Sequence, residues 1–102
     1  MNTRVKSCMY TPDIEVDGTP DIPYGKGRKM VPQVVTVGYL RVAEGFWFAM
    51  WVEVAGKRRD LAKGTLTSES HTASYAGERS DCPAWVWQIV EKYRPVVEES
   101  ND

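Results

Sequence analysis

The strongest hydrophobic pattern in the chain runs from residue 45 to residue 54 and reads GFWFAMWVEV. In a strand, alternate side chains point to opposite faces of the sheet. One face would then carry Phe46, Phe48, Met50, Val52 and Val54, and the other would carry Trp47, Ala49, Trp51 and Glu53. Since a sheet covered on one side needs only one apolar face, the rest of the chain, a second copy or a partner must cover the second face.

The residues before this stretch predict its hairpin partner. Valine, tyrosine and leucine recur through residues 33–43, which we interpret as a strand. Ala43-Glu44-Gly45 suits a three-residue hairpin loop, in which a type I turn is followed by a glycine bulge. This register places Arg41 opposite Trp47, Leu40 opposite Phe48, Tyr39 opposite Ala49 and Val37 opposite Trp51.

Composition predicts which of the other segments before the C-terminal region are strands and which are loops. Residues 3–10 predict a short first strand, and the polar residues 57–67 predict an edge strand. Residues 67–81 predict a loop that holds at most one short strand. Residues 11–32 contain four prolines and three glycines, a density that predicts an extended loop with no regular element. Four side chains would pin this loop to the body of the domain: Ile14, Val16, Ile22 and Tyr24.

One helix is predicted, over residues 83–94. Pro83 suits the first turn, Ser80 or Asp81 can cap it, and Pro95 ends it. An apolar stripe at helical spacing is formed by Trp85, Val86, Ile89, Val90 and Tyr93.

These elements predict an α+β fold, in which an antiparallel sheet of three to five strands carries one C-terminal helix on one face. The whole chain, residues 1–102, forms a single domain with a long loop at 11–32 and a frayed tail at 96–102. We expect the helix stripe to cover the phenylalanine face, which holds Phe46, Phe48 and Met50. The tryptophan face then has only the 11–32 loop as a cover from within the chain.

Composition bounds the class of protein. The chain has 102 residues, of which 42% are hydrophobic and 26% charged, as in an ordinary folded domain. It has no apolar run long enough to cross a membrane, and its first residues lack the apolar core of a signal peptide. We therefore expect a cytoplasmic protein with no membrane partner. In that compartment Cys8 and Cys82 are expected to be free thiols.

The net charge is −1, so the molecule as a whole has no strong field to attract nucleic acid. The charge is unevenly distributed, however. Residues 24–63 carry eight basic and three acidic residues, whereas residues 64–102 carry three basic and seven acidic residues. This distribution is typical of two solvated surfaces, and it would also suit head-to-tail association or an acidic partner.

No motif predicts catalysis, a cofactor or a metal. His71 stands in no nucleophile motif, and Cys8, Asp81 and Cys82 lack the short paired spacings of zinc sites. The glycines at residues 24–29 lack the spacing of a phosphate-binding loop. We therefore predict that the protein is not an enzyme.

The aromatic residues give the strongest functional signal. Tryptophan, tyrosine and arginine dominate interface hot spots. Under the hairpin register, one strand face brings together Tyr39, Arg41, Trp47 and Trp51, the predicted partner-binding residues. Arg58, Arg59 and Trp87 are a second choice. The alternative is that this face is a second core layer under the 11–32 loop.

The leading hypothesis is a small non-enzymatic protein-interaction module that binds another protein or a second copy of itself. Accessory proteins and host-protein inhibitors of bacteriophages and mobile elements fall in this size class. The alternative is a single-stranded nucleic-acid-binding protein, with bases stacked on Tyr39, Trp47 and Trp51 and phosphates met by Arg58, Arg59 and Lys63.

Overall fold

The chain folds as one antiparallel sheet with a C-terminal helix, which confirms the predicted α+β class. The computed structural model describes residues 7–42 and 45–96, and within them the sheet has six strands, more than the three to five predicted. The strands are β1 (Ser7–Tyr10), β2 (Asp13–Glu15), β3 (Ile22–Tyr24), β4 (Arg28–Val42), β5 (Trp47–Arg59) and β6 (Leu66–Ala76); the helix is α1 (Ala84–Tyr93).

Strand β4 is the centre of the sheet. Along one side, β3, β2 and β1 pair with its successive thirds, and along the other side it pairs with β5, which in turn pairs with β6. Every pairing is antiparallel. With β4 spanning 15 residues, the sheet is long, and the molecule measures 64 × 24 × 23 Å.

The predicted loop at residues 11–32 is wrong, because the segment contains β2, β3 and the start of β4. Its prolines interrupt an edge strand instead of abolishing it. Pro12 lies between β1 and β2, where its carbonyl still accepts the amide of Val37 at 3.3 Å. Pro23 lies within β3, on the outer side of β4, where a missing amide donor is tolerated.

The boundaries of the polar strands also differ from the prediction. Strand β5 continues to Arg59, a turn occupies residues 60–65, and the predicted loop at 67–81 is mostly β6. The Asp60 carboxylate holds the turn by accepting the amides of Ala62 and Lys63 at 3.0 and 3.2 Å. Gly64 completes the turn with a φ of 74°, in the left-handed region that favours glycine.

The predicted hairpin register is confirmed near the turn and wrong beyond it. The pairs Arg41–Trp47, Leu40–Phe48 and Tyr39–Ala49 are present, but Val37 pairs with Val52 instead of Trp51. The cause is a β-bulge at Met50, which adds one residue to β5 between Ala49 and Trp51. Because side chains alternate with period two, the extra residue reverses the alternation, so Phe48 lies on the face opposite to that of Val52 and Val54.

The core lies between the helix and one face of the sheet. Its buried side chains are Ile14, Ile22, Met30, Val35, Val37, Tyr39, Val52, Val54, Val86 and Val90. The Tyr39 hydroxyl donates to the carbonyl of Val90 at 2.6 Å, which ties the central strand to α1. The expectation that the helix covers Phe46, Phe48 and Met50 is therefore wrong, since these three are about half exposed.

The helix agrees closely with the predicted range of 83–94. Arg94 after its last turn is already extended, as a residue before proline should be. The predicted side-chain cap is wrong, because no side chain caps the helix and the Asp81 carboxylate instead accepts the amide of Ala76 at 2.6 Å. No helix of the described residues is long and apolar enough to span a membrane.

The predicted hairpin loop at Ala43 and Glu44, residues 3–6 of the predicted first strand, and the predicted tail from residue 97 onward lie outside the described residues.

Candidate functional site

The candidate site is on the face of the sheet opposite the helix, which we call the open face. On β4, alternation from the buried Val37 and Tyr39 places Gly38 and Leu40 there. On β5, the bulge places Phe48, Met50 and Trp51 on this same face.

The open face carries a contiguous apolar surface, the open-face patch, made of Met9, Leu40, Phe46, Phe48, Met50 and Trp51. Met9 pairs with Leu40, and Leu40 pairs with Phe48, so one row crosses three strands. The rings of Phe46 and Phe48 meet edge to face at 5.2 Å. Met9 is 62% exposed, Phe46 53%, Phe48 51% and Met50 48%.

Trp51 lies flat against the sheet at the inner end of the patch. Its indole occupies the space where a side chain on Gly38 would stand, because a Cβ built there overlaps the ring. The glycine therefore creates the seat for the indole. This close approach leaves Trp51 partly buried, with one face of its ring on the backbone.

Arg94 fixes the outer end of the patch to the helix. Its guanidinium donates to the Trp47 carbonyl and to the Glu91 carboxylate, and it lies 4.8 Å from the centre of the Phe46 ring. It also lies 6.0 Å from the Trp87 ring. Arg94 thereby satisfies the Trp47 carbonyl on β5, beyond the last residue of β6, and lies beside the Phe46 ring that packs against Phe48.

Two of the predicted contact residues belong to the core. Tyr39 is fully buried, and burial raises the pKa of its hydroxyl to about 12. Trp47 packs against the core cluster, and its ring meets Tyr10 edge to face at 6.4 Å. Arg41 lies on the same side as Tyr39 and is partly buried. Of the predicted aromatic face, only Trp51 lies on the open face.

The predicted contact residues Arg58 and Arg59 each form an ion pair. Arg58 donates to Glu69 at 3.0 Å, and this contact lowers the pKa of the Glu69 carboxyl. Arg59 donates to Asp21 at 2.6 Å and lowers the pKa of the Asp21 carboxyl in the same way.

The Tyr24 hydroxyl also donates to Glu69, at 3.3 Å, while its ring stacks on His71 at 3.7 Å. Tyr24 and His71 belong to β3 and β6, the outermost strands. The sheet therefore curls at this end.

The residues weighed for catalysis are not brought together. His71 stacks on Tyr24, whereas the Cys82 sulfur lies against the Ala76 carbonyl. Ala76 is five residues beyond His71 on β6, which in an extended strand separates the two residues by about 17 Å. Burial, together with the nearby Asp81 carboxylate, raises the pKa of the Cys82 thiol, which makes it a poorer nucleophile. Residues 7–42 and 45–96 contain no cluster of three metal-ligating side chains.

Comparison with models of protein families, with curated proteins and with solved structures finds no match to this chain.

Five residues of the open-face patch were not predicted to form a contact surface: Met9, Leu40, Phe46, Phe48 and Met50. The signal that would have found them is Gly38, because a glycine inside a strand often marks a bulge or a close backbone approach. A bulge opposite Gly38 transfers the phenylalanines to the uncovered face.

Proposed function

We propose that the protein is a non-enzymatic protein-interaction module that binds its partner through the open-face patch. The observation that carries this proposal is a row of large apolar side chains, about half exposed, on the sheet face opposite the helix. Exposed apolar surfaces of this kind mark interaction sites on monomeric proteins.

The size of the patch supports a protein ligand. A large side chain removes roughly 150–250 Å² from water when buried, so a half-exposed one still offers about 100 Å². Met9, Phe46, Phe48 and Met50 together offer about 400 Å², within the range of about 300–600 Å² of the largest and often functional apolar patch on a monomer, and about half of one partner's share of a standard interface. The patch is thus large enough to be the apolar centre of such an interface.

The rigidity of the patch supports the same proposal. Phe48 and Met50 lie on a paired strand, Trp51 is seated on Gly38, and Phe46 is held by Arg94. Aromatic side chains that are already ordered lose little entropy when a partner covers them. Of the predicted contact residues, only Trp51 lies on the open face, whereas Trp87 belongs to α1 and packs against the core cluster.

Single-stranded nucleic-acid binding receives less support. Tyr39 is buried and Trp47 packs on the core, so the three-ring stacking platform is not on the surface. Arg58 and Arg59 each already hold a carboxylate.

The test is capture of partners from a lysate of the native host by immobilised full-length protein. Phe48→Lys is compared with Leu61→Lys, a matched control because Leu61 is 57% exposed in the turn at residues 60–65, away from the patch. We expect wild type and Leu61→Lys to capture the same protein and Phe48→Lys to lose it. Equal capture by all three would refute the role of the patch, and light scattering of each variant shows whether the partner is a second copy.

A further inference from the structure

Three carboxylates follow the open-face patch along the sheet, and together we call them the acidic rim: Asp13, Glu15 and Glu53. Asp13 on β2 and Glu53 on β5 both pair with Thr36 of β4, one from each side, so Asp13, Thr36 and Glu53 share the open face. Glu15 lies two residues beyond Asp13 on that same face.

The rim is not neutralised by the rest of the described chain. Within residues 7–42 and 45–96, the ion pairs are Arg58–Glu69, Arg59–Asp21 and Arg94–Glu91, and none includes a rim residue. Asp13 accepts only the hydroxyl of Thr36, at 2.7 Å. The nearest lysine along β5 is Lys57, whose ammonium donates to Ser70 at 2.8 Å.

We propose that the open face binds an amphipathic helix of another protein, with apolar side chains on the open-face patch and lysine or arginine side chains over the acidic rim. This inference rests on the proposed function and adds the chemistry of the partner. Charge complementarity carries it, since three carboxylates that form no ion pair with the described residues, beside an apolar patch, favour a basic partner.

The dimensions fit a helix. The row of Met9, Leu40 and Phe48 crosses three strands, about 10 Å in width, which matches the 10–12 Å diameter of a helix with its side chains. From Phe48 to Glu53 the strand advances about 13–16 Å. A helix lying along the strands would cover that distance in about two to three turns, so its basic residues would stand that far beyond its apolar anchors.

A second copy of the chain fits less well. Two copies packed open face to open face would each contribute the acidic rim, and the one lysine of β5, Lys57, lies four residues beyond Glu53, about 13 Å along the strand. The two acidic rims would then either be buried in the dimer interface without cations, or lie outside the interface and so reduce its area. Unpaired charge at an interface costs affinity, whereas lysine and arginine on a different protein remove that cost.

The test uses two synthetic helical peptides of about 18 residues, about 27 Å long, with the same leucine and phenylalanine ridge. One carries lysine at its polar positions and the other carries glutamate. Binding to the full-length protein is measured by fluorescence anisotropy at low and high salt. The variants are Phe48→Lys, the double variant Glu15→Gln with Glu53→Gln, and the control Glu78→Gln, which alters an exposed carboxylate after β6, off the rim.

We expect the lysine peptide to bind at least about tenfold more tightly than the glutamate peptide, and the difference to shrink in high salt. The double rim variant should weaken binding of the lysine peptide by about three- to tenfold, and Glu78→Gln should leave it unchanged. Phe48→Lys should abolish binding of both peptides.

Equal affinity for the two peptides, or no effect of the double rim variant, would overturn the inference. If Phe48→Lys still abolishes binding in that case, the proposed function stands. A wild-type dimer that Phe48→Lys dissociates would likewise overturn the inference and keep the function. Binding of neither peptide overturns the inference, and capture from the host lysate then decides the function independently.

Discussion

Phe48→Lys should destabilise the fold only modestly, whereas Val52→Lys should abolish it. Strict alternation along β5 would place Phe48 and Val52 on one face, so both substitutions should be equally harmful. The bulge at Met50 separates them, leaving Phe48 51% exposed on the open face and Val52 fully buried under the helix. The pair therefore tests the bulge directly.

The magnitudes follow from burial. Phe48 buries about half its side chain, about 100 Å², which at about 25 cal/mol per Å² is at most about 2.5 kcal/mol. The methylenes of lysine recover part of this, so Phe48→Lys should lower the free energy of unfolding by about 1–2 kcal/mol. Val52→Lys loses about 2 kcal/mol of apolar burial and also places an ammonium in the core, at several kcal/mol more. That total reaches the stability of many small domains.

The assay is urea unfolding at pH 7, followed by tryptophan fluorescence and near-ultraviolet circular dichroism. Phe48→Lys should unfold cooperatively with a modestly lower midpoint, while Val52→Lys should show no cooperative transition. The reasoning is refuted if the two variants lose similar amounts of stability, whether both remain folded or both unfold.

Three further changes have defined outcomes. Tyr39→Phe should cost about 1–3 kcal/mol because a buried helix carbonyl loses its donor. Because the pKa of Tyr39 is raised from 10.0 to about 12, the wild type has this extra stability below pH 10 and loses it as the pH rises toward 12. In urea unfolding, the wild type and Tyr39→Phe should therefore differ in stability at pH 8 and differ less at pH 11. Gly38→Ala should displace Trp51 and change its near-ultraviolet signal, at about 1–3 kcal/mol. Asp21→Asn should cost about 1 kcal/mol at pH 7. Since Arg59 lowers the pKa of Asp21, that difference should vanish as the pH falls below 3.8.

Local signals in the sequence predicted the local structure. The hairpin register near the turn is confirmed in three cross-strand pairs, because loop length and glycine position determine it. The helix is confirmed because the spacing of Val86 and Val90 and the proline at 95 act within a few residues. Both features depend on contacts close in the chain.

The features that sequence reasoning missed depend on distant contacts. The bulge at Met50 depends on Gly38, which lies on the partner strand and offers space for Trp51. Alternation within β5 alone cannot show it. The candidate contact surface was therefore predicted on the face of β5 that carries Trp47, whereas in the structure it lies on the face that carries Phe48.

The strands at Asp13–Glu15 and Ile22–Tyr24 form because the long central strand offers its edge to them. Each is three residues long, and a proline directly precedes the first and lies within the second, so local propensity predicts a loop. Their pairing with β4 overrides that propensity.

The most direct test of the central claim is a set of nuclear Overhauser contacts from the methyl groups of Val86 and Val90 in the full-length protein. If the helix lies on the core face, the methyl groups of Val90 should contact the Tyr39 ring, because the Tyr39 hydroxyl donates to the Val90 carbonyl at 2.6 Å. Neither valine should then contact the Phe48 ring. Contacts from these methyl groups to Phe48, with none to Tyr39, would show that the helix covers the phenylalanine face and would contradict the open-face patch.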